Sequence, residues 1–232
     1  MMWNSEADFV QTFLSSKGII NRLTKRNYKI LTEVRTGFGR PDILIIEYNP
    51  KVIEARLHKL NRSAGVFSTK SAFALSYLST CRWVTVDNLG KFLNCHGNQL
   101  KTIISILIGR GLLETKDHLV KLRPRGEILA IERVWAFEAK LSHWKEAIEQ
   151  AERHLWFTRD SYVLMPTIQK DLINTITREC GKRGIGLSFF NVQTGFDTVV
   201  KPAKSGVRNS PFLWMLNEMI VGGNNGGTSV LS

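Results

Sequence analysis

Two short segments nearly a hundred positions apart carry ionisable residues in apolar, β-prone surroundings: Arg40-Pro41-Asp42-Ile43-Leu44-Ile45-Ile46 and Trp135-Ala136-Phe137-Glu138-Ala139-Lys140. A carboxylate held against a sheet is costly to desolvate unless a cation or a donor compensates it. If the two runs pair in one sheet, Asp42, Glu138 and Lys140 converge at one edge, where a divalent cation and a water can meet a phosphodiester. Mg²⁺ suits two such carboxylates, because it takes oxygen ligands and is held by one or two acids plus substrate phosphate oxygens. In Glu138-Ala139-Lys140 the strand period of two sends Glu138 and Lys140 to one face and the small Ala139 to the other. Many chains contain Glu-x-Lys by chance, most often as a solvated edge pair. Here its context gives it weight.

That context is the set of elements around the motifs. The Gly37-Phe38-Gly39 turn leads into Asp42 and an unbroken Ile-Leu-Ile-Ile run. A strand over 132–140 is followed by a helix over 143–157 with Trp144, Ile148, Ala151 and Leu155 on one face. A strand over 161–166, a helix from 167 to about 182 and a strand over 184–192 complete the order. Alternating strands and helices predict an α/β class, a mixed central sheet flanked by helices on both faces.

These residues resemble the PD-(D/E)xK nuclease superfamily, the restriction-endonuclease-like fold, with Pro41-Asp42 and Glu138-x-Lys140 as its two signature elements. The likeness covers residues 1 to about 50 and about 126 to 200. It implies a Mg²⁺-dependent deoxyribonuclease, an endonuclease ahead of an exonuclease, with Mn²⁺ able to substitute. Asp42 and Glu138 would ligate the metal and Lys140 would assist the attacking water. The resemblance also implies an accessory acid at the metal, for which Glu6 in the 5–16 helix and Glu33 on the strand before the glycine turn compete. Gln150, on the helix after the Lys strand, matches a further polar position facing the site. Cutting both strands of a duplex often takes a homodimer, although no coiled-coil heptad marks an interface. The rival reading is a DNA-binding regulator or assembly factor with a nuclease-like core that does not cleave.

The formal net charge of +12 points to a polyanionic partner. Its distribution is uneven: +2 over residues 1–50, +8 over 51–128 and +2 over 129–232. Solvated lysines on an ordinary surface account for part of the excess. The middle third also departs from an α/β pattern. Helical spacing spans 52–61 and 71–79, Thr85 is a candidate N-cap for a short helix, and a further helix runs over 98–108. Gly109 and Gly111 end that helix before a hairpin around Lys116-Asp117.

This order resembles a winged helix-turn-helix domain, most closely from Trp83 to Leu122, and so implies binding of duplex DNA. The helix after the turn commonly enters the major groove. Asn98, Gln99, Lys101 and Thr102 would line its exposed face, while Arg110, Lys116, Lys121, Arg123 and Arg125 would bring charge to the wing. Winged helices also serve as protein-interaction modules, and a polar face is what any surface helix presents. The expected organisation is therefore a core in two parts, 1–50 and 126–221, an insert over 51–125 and a disordered tail over 222–232. An apolar helix around Phe212–Ile220 is expected to dock on the core or on a second subunit.

The remaining chemistry is bland. Cys81, Cys95 and Cys180 are odd in number and widely spaced, which suits reduced structural thiols. His58, His96, His118, His143 and His154 read as surface or helix-packing residues. No Walker or Rossmann phosphate loop occurs, which disfavours ATP and dinucleotide chemistry. With no signal peptide and no apolar run of membrane-spanning length, a cytoplasmic protein without a membrane partner is expected.

Overall fold

The computed structural model describes residues 3–24, 27–59 and 65–222. The chain opens with α1 (Glu6–Ser15) and α2 (Lys17–Leu23), then β1 (Tyr28–Thr32) and β2 (Ile43–Tyr48). A middle segment follows: α3 (Pro50–Lys59), α4 (Thr69–Leu78), β3 (Val84–Thr85), α5 (Val86–Leu93), α6 (Gly97–Gly109), β4 (Leu113–Lys116), β5 (Leu119–Leu122) and α7 (Arg125–Ile128). It returns through β6 (Ile131–Ala139), α8 (Trp144–His154), β7 (Asp160–Pro166), α9 (Lys170–Arg183), β8 (Gly186–Asn191) and β9 (Gly195–Val200), and ends in α10 (Pro211–Val221).

Two compact units divide the described residues. One comprises the chain through Tyr48 and Ile131–Arg208, the other Asn49–Ala130 and the segment from Asn209. The expected break after residue 50 falls two residues earlier, where Pro50 opens α3; proline is tolerated at a first helical position because its missing N–H has no intrahelical partner there.

The first unit is mixed α/β. Its sheet runs β1-β2-β6-β7-β8-β9, parallel from β6 to β8 and antiparallel at both sides. The crossovers through α8 and α9 follow from the parallel pairs, which cannot be joined by a tight turn. One sheet face buries Ile43, Ile45, Trp135, Phe137 and Ala139 against Phe9, Phe13 and Ile20 of α1 and α2. The other buries Val163, Met165, Leu187 and Phe189 against Ala147, Ile148 and Ala151 of α8 and Ile176 and Cys180 of α9. At about 1.5–3 kcal/mol for each large apolar side chain removed from water, these layers fix the strands that carry the motifs.

In the second unit, α4, α5 and α6 pack with a small antiparallel sheet ordered β3-β5-β4. Leu75, Leu78, Leu89, Leu100, Ile103, Leu107 and Val120 form its core. Thr85 caps α5, its hydroxyl accepting from the Asn88 N–H at 3.2 Å. The α10 helix belongs here, not to the other unit as expected for 126–221. Its Trp214 enters the same core, and Asn217 accepts from the Ala130 N–H at 2.8 Å and donates to the Ile128 carbonyl at 3.0 Å. Apart from Gly222, the 222–232 tail lies outside the described residues.

Candidate active site

Pairing of β2 with β6 places Ile43 opposite Phe137, so Asp42, just ahead of β2, lies level with the end of β6. The Asp42 carboxylate accepts a hydrogen bond from the backbone N–H of Ala139 at 2.7 Å. That bond sets the acid against the backbone that carries Glu138 and Lys140. Glu138 is 2% exposed, and its Oε2 has no hydrogen-bond partner.

Two carboxylates so placed resist ionisation together. Burial, chiefly, and the charge of Asp42 push Glu138 up to about 8 against the pull of Lys140. Burial raises Asp42 to about 6, with the Ala139 N–H and the Lys140 ammonium opposing it. Burial pulls Lys140 down, but its bond to Glu6 and the nearby acids outweigh this and leave it raised, so the side chain stays an ammonium.

Lys140 lies one residue beyond the strand, with its N–H still donating to the Leu164 carbonyl at 3.1 Å. Its Nζ reaches Glu6 at 3.0 Å, across the end of β6 to the first residue of α1. Ser5 fixes that helix start, its hydroxyl accepting from the Asp8 N–H at 3.1 Å. Of the two accessory acids, Glu6 therefore touches the motif lysine. Glu33 differs from its expected strand position: β1 stops at Thr32, and Glu33 has a φ of 58°, is exposed and pairs with Arg40. Its N–H donates to the Asp42 carbonyl at 3.2 Å, so its backbone braces the motif while its side chain is turned to the arginine.

Gln150 and His154 lie four residues apart on one face of α8. The Gln150 Oε1 is buried without a hydrogen-bond partner. His154 is 1% exposed, and its Nε2 stands 3.7 Å from Glu138 Oε2. Burial, helped by Arg153, pushes its imidazole down to about 4, so it is neutral beside the acid. The reading of His154 as a surface or packing residue missed this neighbour; its spacing from Gln150 was the available signal.

Among the described residues no three His, Cys, Asp or Glu side chains gather as a ligand set. What the site offers is a carboxylate pair with one orphaned oxygen, which suits a hard cation completed by water and phosphate.

In the second unit, α6 buries Leu100, Ile103 and Leu107 and exposes Asn98, Gln99, Lys101 and Thr102. Lys70 of α4 donates to Gln99 Oε1 at 3.4 Å, adding a cation beside that face that the sequence did not single out. Lys116 and Arg125 are exposed. Other basic residues are engaged: Lys121 pairs with Glu114 at 2.8 Å and lies over the Trp83 ring, and Arg123 pairs with Glu127 at 3.0 Å. Arg110 departs most from a DNA-facing role, since it binds Glu218 at 3.2 Å and the Gly65 carbonyl at 3.0 Å.

No family model matches the chain, and no curated protein or solved structure is detectably similar to it. Among the described residues no helix is long and apolar enough to cross a membrane. The class defined by the coordinates is a mixed α/β unit, with a central sheet flanked by helices, interrupted by a mainly helical second unit.

Proposed function

We propose that the chain is a divalent-metal-dependent deoxyribonuclease of the PD-(D/E)xK type, with a winged-helix insert that binds duplex DNA. The observation that carries this reading is the juxtaposition of Asp42 with the Glu138-Ala139-Lys140 segment, secured by the 2.7 Å bond from the Ala139 N–H. The unpaired Glu138 oxygen and the raised affinity of both acids for protons mark a place where a cation would replace a proton.

Asp42 and Glu138 would hold Mg²⁺ or Mn²⁺. Bound there, the metal would acidify a water and draw charge from the phosphoryl oxygens. Lys140 is an ammonium whose tether to Glu6 holds it at the strand end, where it can orient the nucleophile or offset charge developing on phosphate. The turn of α6 exposing Asn98, Gln99, Lys101 and Thr102 provides amides for base edges and an ammonium for phosphate.

The test is incubation of the purified chain with plasmid and single-stranded DNA in Mg²⁺ or Mn²⁺. Cleavage that EDTA stops, and that Asp42→Asn and Lys140→Ala each remove, supports the nuclease. Salt-sensitive DNA binding without cleavage under any of these conditions supports the regulator instead.

A further inference from the structure

The Gly37-Phe38 turn has a feature that the nuclease reading does not use. Phe38 is a large apolar side chain left 62% exposed, yet its backbone is tightly held. The Thr36 N–H and hydroxyl both donate to the Gly39 carbonyl at 2.8 Å, and the Thr36 hydroxyl accepts from the Phe38 N–H at 3.2 Å. Behind the ring stands Trp156, edge to face at 5.1 Å, which packs in turn on the buried Phe157. The turn packs closely on its neighbours: a Cβ at Gly37 would meet the Trp156 ring at 3.7 Å and one at Gly39 would meet His154 Nε2 at 3.8 Å, both ordinary contacts, while the φ of 149° at Gly39 favours glycine there.

The same contacts locate the knob. The turn lies against His154, His154 lies beside Glu138, and Arg40 at the foot of the turn is two residues from Asp42. Arg35 and Arg40 are both exposed and flank Phe38 in the sequence, the second of them paired with Glu33. A rigid exposed ring on a turn that packs against His154, itself beside Glu138, and that leads within four residues to Asp42, is matched by a ligand with a flat apolar face next to a phosphate. A nucleobase within a strand has that chemistry. Because the turn is already ordered, stacking on it costs little conformational entropy.

We propose that Phe38 is a base-stacking residue, so that the favoured substrate is DNA with an unpaired or unstacked base next to the cleaved phosphodiester. This rests on the nuclease reading for the position of the cut, but its test does not need cleavage. Binding of the full chain is measured in EDTA to three labelled DNAs: a paired duplex, the same duplex with a short unpaired bubble, and that bubble with one base replaced by an abasic site. The Phe38→Ala variant should lose about tenfold in affinity for the bubble, the scale of one lost base–aromatic stack. Phe38→Trp should retain it. On the paired duplex and at the abasic position, wild type and Phe38→Ala should agree within about twofold. Equal binding of the bubble by wild type and Phe38→Ala, or an equal loss on all three DNAs, overturns the proposal. Cleavage of the bubble DNA in Mn²⁺ is scored separately, so an inert core with a base-dependent Phe38 effect refutes only the nuclease reading.

Discussion

Asp42 and Ala139 are 97 residues apart in sequence, and a 2.7 Å hydrogen bond joins the carboxylate of one to the backbone N–H of the other. The bond uses one acid oxygen to lock the end of β2 to the end of β6. Beside it, Glu138 Oε2 is buried without a hydrogen-bond partner and is available to an outside ligand. Removing the acid therefore affects chemistry and strand ends differently from removing the lysine.

For Asp42→Asn the amide oxygen can still accept from Ala139, so the fold should survive while the negative charge is lost. Cleavage should fall to background, and Lys140→Ala should lose at least about a hundredfold in kcat, the scale of removing one preorganised charge-stabilising donor. Circular dichroism spectra and the salt slope of DNA binding should match wild type in both variants. A drop in binding equal to the drop in cleavage would move these residues from chemistry to general contact.

The raised acids make a signed prediction for stability. A carboxyl whose folded pKa is raised stabilises the fold fully below its unfolded value of 4.5 for Glu138 or 3.8 for Asp42, and that contribution is lost as pH rises through about 8 and about 6. His154 acts in the opposite sense, since its pKa is lowered from 6.5 to about 4 and its contribution is lost as pH falls through the latter value. The clean window thus runs from the ordinary His154 value of 6.5 up to the Glu138 value of about 8, where of these three groups only Glu138 still changes stability. Metal-free protein should lose several degrees in Tm there, Glu138→Gln should flatten the loss, and Mn²⁺ should stabilise wild type more on the alkaline side than near neutrality. Thermal melts of both proteins with and without the cation decide it.

Glu6 and Glu33 should separate in the same assays. Glu6→Gln weakens the 3.0 Å bond that tethers Lys140, and should cost roughly ten- to a hundredfold in kcat, the usual penalty for losing a group that orients a catalytic side chain. Glu33→Gln loosens an exposed pair with Arg40 and should change kcat by less than about threefold. The reverse ranking would make Glu33 the accessory acid.

What the sequence reveals here is whatever local pattern encodes. Asp42 stands out because it heads an apolar run and Glu138 because it interrupts one, and the helices of the second unit show through caps and spacing such as Thr85 with Leu89 and Leu93. Long-range pairing leaves no such trace. Glu6 and Lys140 are 134 residues apart, and Arg56 and Glu218 are 162 apart, so neither contact has a period to betray it. The same blindness hid the pairing of Arg110 with Glu218 and the packing of α10 in the second unit: an arginine reads as solvated, and an apolar helix as homeless, until the distant partner is known. β9 was missed because it is an edge strand with alternating exposure and therefore lacks the continuous apolar run of its buried neighbours.

The buried Glu218 gives the last prediction. Its carboxylate lies between Arg56 and Arg110, and Arg56 also donates to the Ile128 carbonyl at 3.3 Å and the Arg110 carbonyl at 3.2 Å. Arg56 is 3% exposed, so deleting the acid strands a buried guanidinium. Glu218→Ala should destabilise the second unit by about 3–5 kcal/mol, the cost of breaking a buried pair from one side. Arg110→Ala, which leaves Glu218 paired with Arg56, should cost less, and should leave the salt slope of DNA binding unchanged because its guanidinium is already engaged. Lys101→Ala, on the open face of α6, should leave the Tm unchanged and lower that slope by about one. Denaturant titrations and binding isotherms at several salt concentrations measure both; a slope change for Arg110→Ala and none for Lys101→Ala would transfer phosphate contact from α6 to the network around Glu218.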